Sequence, residues 1–327
     1  MRITNSMLYQ RSLRDINANR LALADTQRQI STGKRVATGS DDPLALAQTQ
    51  AIRREMSEIG GYLANVDTGR ALLQETDQVL SVFQDAMLQL QDRLIQASGG
   101  GKTADTLNTY KAEILELKEN LRQLANSRDG QGRYLFAGWK TAEEPYPTDL
   151  TMGSNGLQQI RFEVGRGTTM EMSVNGDSFI GETVPPPLGP PPIGEEHLFA
   201  AIDAFVATLG RNPGSTFVKV LDPTAVPPLT VTKTWREEQA DQAGSLQRRI
   251  ATLTTVRTSV AERIQRLDEL EVTYEARLQS MSGRIDDLEA ADLPTASLNL
   301  ARQDAAFKAA LSVTGRTLPT SLVDYLR

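Results

Sequence analysis

The longest regular pattern of apolar positions in this chain begins at Leu246. It continues through Ile250, Leu253, Val256, Val260, Ile264, Leu267, Tyr274, Leu278, Met281, Ile285 and Leu288. The steps are threes and fours, with one step of seven where Glu271 takes the expected apolar place. That period marks one face of a long α-helix, and the stripe has the width of a coiled-coil seam. No Gly or Pro interrupts it from Ser245 to Ser282. Pro294 breaks the pattern, and a second seam follows at Leu300, Phe307, Leu311, Leu318, Leu322 and Leu326. So narrow a stripe on so long a helix needs other helices to cover it.

The beginning of the chain supplies candidates. Residues 1–31 carry the same period at Ile3, Met7, Leu13, Leu21, Ala24 and Ile30, with Gln10, Asn17 and Gln27 on or near the seam. Polar residues at seam positions fix register at some cost in stability. The segment STGKRVATGSDDP, residues 31–43, interrupts this helix. It ends in a helix-start signal: Asp42 as N-cap and Pro43 as first helical residue, where a missing N–H costs nothing. The next helix has its seam at Ile52, Met56, Ile59, Leu63, Val66, Leu73, Leu80, Phe83, Met87, Leu90 and Leu94. Gly60-Gly61 softens it by about 1 kcal/mol per Gly. Ser98 and three glycines stop it, and a third helix follows at Leu107, Tyr110, Ile114, Leu117, Leu121 and Leu124. Helices joined by so short a loop lie antiparallel, and the long C-terminal helix completes a three-helix bundle.

After Asp129-Gly130-Gln131-Gly132 the style changes. Twelve of the fifteen prolines fall between residues 140 and 232, which marks a separate insert. Arg133 to Gly138 reads as a short strand after a turn. Ile160, Phe162 and Val164 alternate, as do Met170, Met172 and Val174, with Gly165-Arg166-Gly167 between them, so a hairpin is expected. Asn175-Gly176 reads as another turn, and Leu198 to Leu209 as a short amphipathic helix. The run VPPPLGPPPIG, residues 184–194, reads as a stiff polyproline-like linker.

Charge and candidate chemistry narrow the function. A net charge of −6 lacks the basic footprint that nucleic-acid binding needs. There is no Cys, so thiolate metal sites, disulfides and a Cys nucleophile are excluded. No apolar run spans a membrane, and the first residues show no apolar core of a signal peptide. The single His, His197, is expected to be a solvated residue ahead of the Leu198 helix. Gly101-Lys102-Thr103 imitates the end of a phosphate loop, but Gln96 stands where the first Gly belongs and a helix precedes it, so it reads as an interhelical turn. Asp41-Asp42 is better explained as capping than as an acid–base pair. No catalytic residue, metal site or cofactor is expected.

Several stretches resemble bacterial flagellin-family proteins. Ile30-Ser31-Thr32-Gly33-Lys34-Arg35-Val36 followed by Ser40-Asp41-Asp42-Pro43 resembles their N-terminal signature. Pro43 is similar to the hook–filament junction branch, hook-associated protein 3, where flagellins proper usually have Ala. Gly132-Arg133-Tyr134-Leu135-Phe136-Ala137-Gly138 and Val174-Asn175-Gly176-Asp177-Ser178-Phe179 also resemble that branch. Leu288-Glu289-Ala290-Ala291-Asp292 and Ser321-Leu322-Val323-Asp324-Tyr325-Leu326 look like the family's closing motifs. Gly39 departs from the branch, which often has Pro there. The resemblance covers both ends and the middle, but not the Pro-rich insert.

The expected architecture is α+β and elongated: a terminal helical coiled coil and a long-helix bundle with an inserted β-rich domain. Residues 1–43 with 290–327 form the coiled coil, 44–139 with 233–289 the bundle, and 140–232 the outer domain. Ile3, Met7, Leu13, Leu21, Ile30, Leu300, Phe307, Leu311, Leu318, Leu322 and Leu326 form an assembly seam that packs against neighbouring copies. The resemblance implies a structural protein outside the cell, on the flagellum, exported without a cleaved signal peptide. It implies another hook-associated protein on the hook side, flagellin on the filament side, and an export chaperone at the C-terminal helical region. No nucleic-acid or membrane partner is expected. The alternatives are a short flagellin that builds the filament itself and a cytoplasmic coiled-coil scaffold.

Overall fold

The computed structural model describes residues 5–99, 101–147, 158–181, 197–212, 214–222 and 229–325. In chain order the elements are α1 (Asn5–Thr32), α2 (Pro43–Ser98), α3 (Ala104–Ala125), β1 (Arg161–Gly165), β2 (Thr168–Glu171) and α4 (Asp177–Ile180). They continue with α5 (Leu198–Thr208), β3 (Thr216–Asp222), β4 (Leu229–Thr234), α6 (Trp235–Glu289) and α7 (Leu293–Tyr325). The chain divides into two compact units, Met1–Gly60 with Tyr274–Arg327, and Gly61–Thr273. The division falls at the Gly60-Gly61 pair on one side and within α6 on the other.

The seven-residue repeat decides which apolar residues are buried. On α2 these include Ala45, Ile52, Ile59, Val66, Leu73, Leu80, Met87 and Leu94, each seven positions from the last. On α6 the fully buried set includes Leu246, Leu253, Val260, Leu267 and Met281, with Tyr274 half-buried in the same row. A fixed seven-residue spacing keeps one seam toward a partner helix along the whole length. The long helix begins at Trp235, eleven residues before its apolar stripe, because Glu237 closes a capping pair with Thr234 there: the carboxylate accepts the Thr234 N–H at 2.7 Å.

In the unit Gly61–Thr273, α2, α3 and α6 contribute to one apolar core with Phe83, Ile114, Leu121, Leu253 and Val260. Polar pairs flank this seam. Arg257 reaches Asp77 at 3.2 Å and Gln84 at 2.7 Å, and Arg70 pairs with Glu271 and Asp268. Glu271, the residue that breaks the apolar stripe, is therefore an ion-pair partner. α3 turns back along α2, Arg93 meeting Glu113 at 3.1 Å. Gly101, Lys102 and Thr103 lie between α2 and α3 as expected: Gly101 has φ +81°, and the Thr103 hydroxyl accepts the Thr106 N–H at 3.3 Å ahead of α3.

Residues between 140 and 232 add Tyr146, Val164, Phe199 and Phe205 to the same core. β1 and β2 form the expected antiparallel hairpin, Phe162 opposite Met170, with Gly167 at φ +69° in the turn. It is fastened to both long helices. Asn65 on α2 donates to the Glu163 carbonyl at 2.8 Å, and Arg263 on α6 pairs with Glu171 at 3.3 Å. Met172 lies so close over Gly69 that a Cβ there would fall 2.5 Å from its sulfur. α5 bears out the expected short helix.

Two expectations fail. Arg133–Gly138 is not a strand; Tyr134 and Ala137 make only isolated bridges, to Arg128 and Asn175. Asp129 accepts the N–H groups of Gln131 and Arg133, both at 2.9 Å, and closes the turn ahead of the segment; the segment itself runs through further turns, with Gly138 at φ +58° and the Lys140 N–H donating to the Ala137 carbonyl at 3.2 Å. His197 is not solvated. It is buried between Phe199 and Tyr146, at ring distances of 5.3 and 6.0 Å. Burial first, then the nearby positive charges of Arg249 and Lys118, push its pKa down to about 4. The run at 184–194 lies outside the described residues.

Candidate functional site

The expected seam residues lie on α1 and α7, which pack against each other in the unit Met1–Gly60 with Tyr274–Arg327. The inward row of α1 is Ile16, Leu23, Thr26 and Ile30; that of α7 is Ala296, Leu300, Gln303, Phe307 and Ala310. All are buried or half-buried, in steps of three, four and seven. A polar contact sits in this seam: the buried Thr26 hydroxyl donates to Gln303 Oε1 at 2.8 Å. A hydrogen bond at one layer fixes register, because sliding either helix would leave a buried hydroxyl without that partner.

The expected seam therefore divides between two faces. Ile30, Leu300 and Phe307 lie in the α1–α7 contact. Met7, Leu13, Leu21 and Leu311 are exposed, at 55%, 40%, 68% and 46%. Leu318 and Leu322 are on the described backbone of α7, while Ile3 and Leu326 lie outside the described residues. Gln10, Asn17 and Gln27 are exposed. Ile16 and Leu23 were missed as seam members, although their seven-residue spacing to Ile30 carries the signal. Leu298 and Val313 were also missed, and both are exposed on α7. The α1–α7 pair thus covers one side of each helix and leaves large apolar side chains outward on both. Such uncovered apolar surface on paired helices is what a protein–protein contact buries.

The connection between α1 and α2 is built by its two aspartates. Asp41 accepts the backbone N–H groups of Thr38 at 2.9 Å and Ala37 at 3.1 Å, and pairs with Arg28 at 3.2 Å. The hydrogen bond from Thr38, then that from Ala37, holds its carboxyl well below the ordinary range. Asp42 Oδ1 accepts the Ala45 N–H at 3.0 Å, immediately ahead of Pro43 at the start of α2. That hydrogen bond chiefly lowers its pKa, with help from Arg35. Both carboxylates are occupied by the backbone.

The described residues offer no cluster of His, Asp and Glu that could hold a metal ion. No helix among them is long and apolar enough to cross a membrane. An open groove of about 800 Å³ between α2 and α3 is lined by Gln89, Gln96, Glu113 and Glu116 among others, without a nucleophile beside a base.

Comparison with known proteins places this geometry. Residues 3–141 match the family described as the bacterial flagellin N-terminal helical region. Flagellar hook-associated protein 3 of Escherichia coli is 30% identical over 213 residues, 64% of this chain and 67% of that protein. The protein of the same name from Salmonella typhimurium is 28% identical over the same shares of the two chains. Flagellin of Bacillus subtilis is 23% identical over 177 residues, 54% of this chain and 56% of that one. Among solved structures, a flagellar hook-associated protein-3 from Legionella pneumophila superposes with a TM-score of 0.57 at 15% identity, covering 73% of this chain and 98% of that one. At that identity the likeness shows the fold.

Proposed function

The chain belongs to the flagellar hook-associated protein 3 family, within the flagellins, and from that premise we propose that it is a structural adaptor joining the flagellar hook to the filament. The observation that carries the assembly part is the α1–α7 pair. It is closed on its inner side by Ile16, Leu23, Ile30, Leu300 and Phe307, and leaves Met7, Leu13, Leu21, Leu298 and Leu311 outward. Neighbouring copies bury that outward row. Each large side chain fully covered contributes roughly 1.5–3 kcal/mol.

In this reading residues 1–43 and 290–327 form the terminal assembly segments. Residues 44–139 with 233–289 form the bundle, and 140–232 the outer part. The partners are copies of the chain itself, another hook-associated protein on the hook side and flagellin on the filament side. An export chaperone holds the C-terminal helical region before assembly. The protein works outside the cell, with no enzymatic role and no cofactor. Higher identity to hook-associated protein 3, 30% and 28%, than to the Bacillus subtilis flagellin at 23% favours the junction over a filament-forming subunit.

Deletion of the gene tests the reading. Cells should keep hooks, lack filaments and release flagellin into the medium. Normal swimming after deletion would overturn the adaptor role. Long filaments grown from the purified protein alone would assign it to the flagellins proper.

A further inference from the structure

We propose that Glu289 is a positioning residue for assembly, a buried carboxylate that clasps the α1–α2 connection to the end of α6 and so fixes how the α1–α7 pair is held. Glu289 is the last residue of α6, and its side chain is 6% exposed. It accepts Arg53 of α2 through both oxygens at 2.9 Å. It also meets Lys34 of the connecting loop at 2.8 Å. One carboxylate thus ties together three segments that are far apart in sequence, all within one compact unit.

The backbone repeats the connection. The Glu289 carbonyl accepts the Arg35 N–H at 2.6 Å, and the Ala291 N–H donates to the Gly33 carbonyl at 2.9 Å. Lys34 and Ala290 form an antiparallel bridge, and the Arg35 guanidinium donates to the Leu288 carbonyl at 3.0 Å. Val36 is buried beside them. Gly33, at φ +68°, makes the turn that lets α1 end there. The loop 33–36 is therefore laid along residues 288–291, where α6 passes into α7.

A buried ion pair is a weak source of stability, because desolvation offsets much of the attraction. Lys34 and Arg53 are about half exposed, which weakens it further. What the pair supplies is direction. An apolar contact tolerates sliding, whereas a carboxylate whose two oxygens both accept one Arg53 nitrogen, and one of which also meets Lys34, holds its partners at a set distance through charge-assisted hydrogen bonds. The loop follows the end of α1, and the end of α6 leads into α7. A clasp between them sets where α1 ends and where α7 starts.

The test is hydrogen exchange on the full chain, combined with incorporation at isolated hooks. Glu289→Gln keeps the shape and removes the charge. The Val36 and Ala291 amides should then exchange roughly tenfold faster or more, while the Leu253 amide is unchanged. Lys34→Met with Arg53→Met should give the same acceleration, and adding Glu289→Gln to that pair should add little. Glu275→Gln, exposed on the same helix, should change nothing. Unchanged exchange at Val36 and Ala291 in Glu289→Gln would overturn the clasp. The incorporation arm rests on the junction reading, and the exchange arm does not. If the clasp opens but the variant joins hooks as well as wild type, the positioning role is wrong. If wild type itself fails to join hooks, the junction reading fails instead.

Discussion

At the scale of single residues, two positions carry sharp expectations. His197 is held neutral in an aromatic pocket, with its pKa pushed down to about 4 from an ordinary 6.5. Between those values the unfolded chain takes up a proton that the folded chain refuses. Stability contributed here is therefore complete above pH 6.5 and lost as the pH falls toward 4, by about 3 kcal/mol at most. Melting of wild type and His197→Leu at pH 7.5 and 5 checks this; the variant should lose part of the acid sensitivity, and equal slopes would refute it. Gly176 is the second position. A Cβ there would fall on the Tyr146 hydroxyl, and Tyr146 is fully buried and donates to Asp177 at 3.2 Å. Gly176→Ala should cost about 1–3 kcal/mol by overpacking. Gly130→Ala, with nothing within 4 Å, should be silent in the same denaturant titration. The sequence pointed to a turn at Asn175-Gly176 but could not reveal Tyr146, which comes from thirty residues earlier. For the same reason it misplaced His197: its position before Leu198 was visible, and the aromatic rings that bury it were not.

At the scale of elements, periodicity was enough for the long helices. The stripes on α2 and α6 extend over many repeats, so a local irregularity such as Glu271 does not obscure them. Short elements depend on a few local contacts, and there the reading failed: Arg133–Gly138 runs through turns, with Gly138 at φ +58°, instead of forming a strand. The terminal helices are an intermediate case. Their period was legible, yet not the division between a face closed within the chain and a face left open, because a sequence repeat does not say which row meets which partner. The structure makes the two faces separable by mutation. Phe307 is half-buried against α1, and Leu311 is exposed. Phe307→Asp should loosen the α1–α7 pair in the isolated chain, seen as faster exchange near Ile30 and Leu300. Leu311→Asp should leave that exchange unchanged and still block incorporation at hooks. If both variants behave alike in the isolated chain, the two-face account is wrong.

At the scale of the whole molecule, the two compact units should respond to different perturbations. Leu253 is fully buried in the core of Gly61–Thr273, and Leu253→Ala should cost about 2–5 kcal/mol there. The terminal pair shows how little of its apolar surface the chain can cover by itself. Two helices with one shared seam recover only part of the roughly 1–2 kcal/mol of backbone entropy lost per ordered residue. In the proposed reading neighbouring copies provide the remaining burial, and ordering of the termini should then be coupled to assembly. Amides of residues 5–31 and 295–325 should be far less protected in the monomer than in the assembled flagellum, while Leu253 stays strongly protected in both. Equal protection at the termini and at Leu253 in the monomer would show that the pair is stable without neighbours. The adaptor role itself is tested most directly by where the protein sits. Antibody against residues 140–232, viewed by electron microscopy on isolated flagella, should label one narrow band between hook and filament. Label running along the whole filament, or absent from the flagellum, would contradict the account.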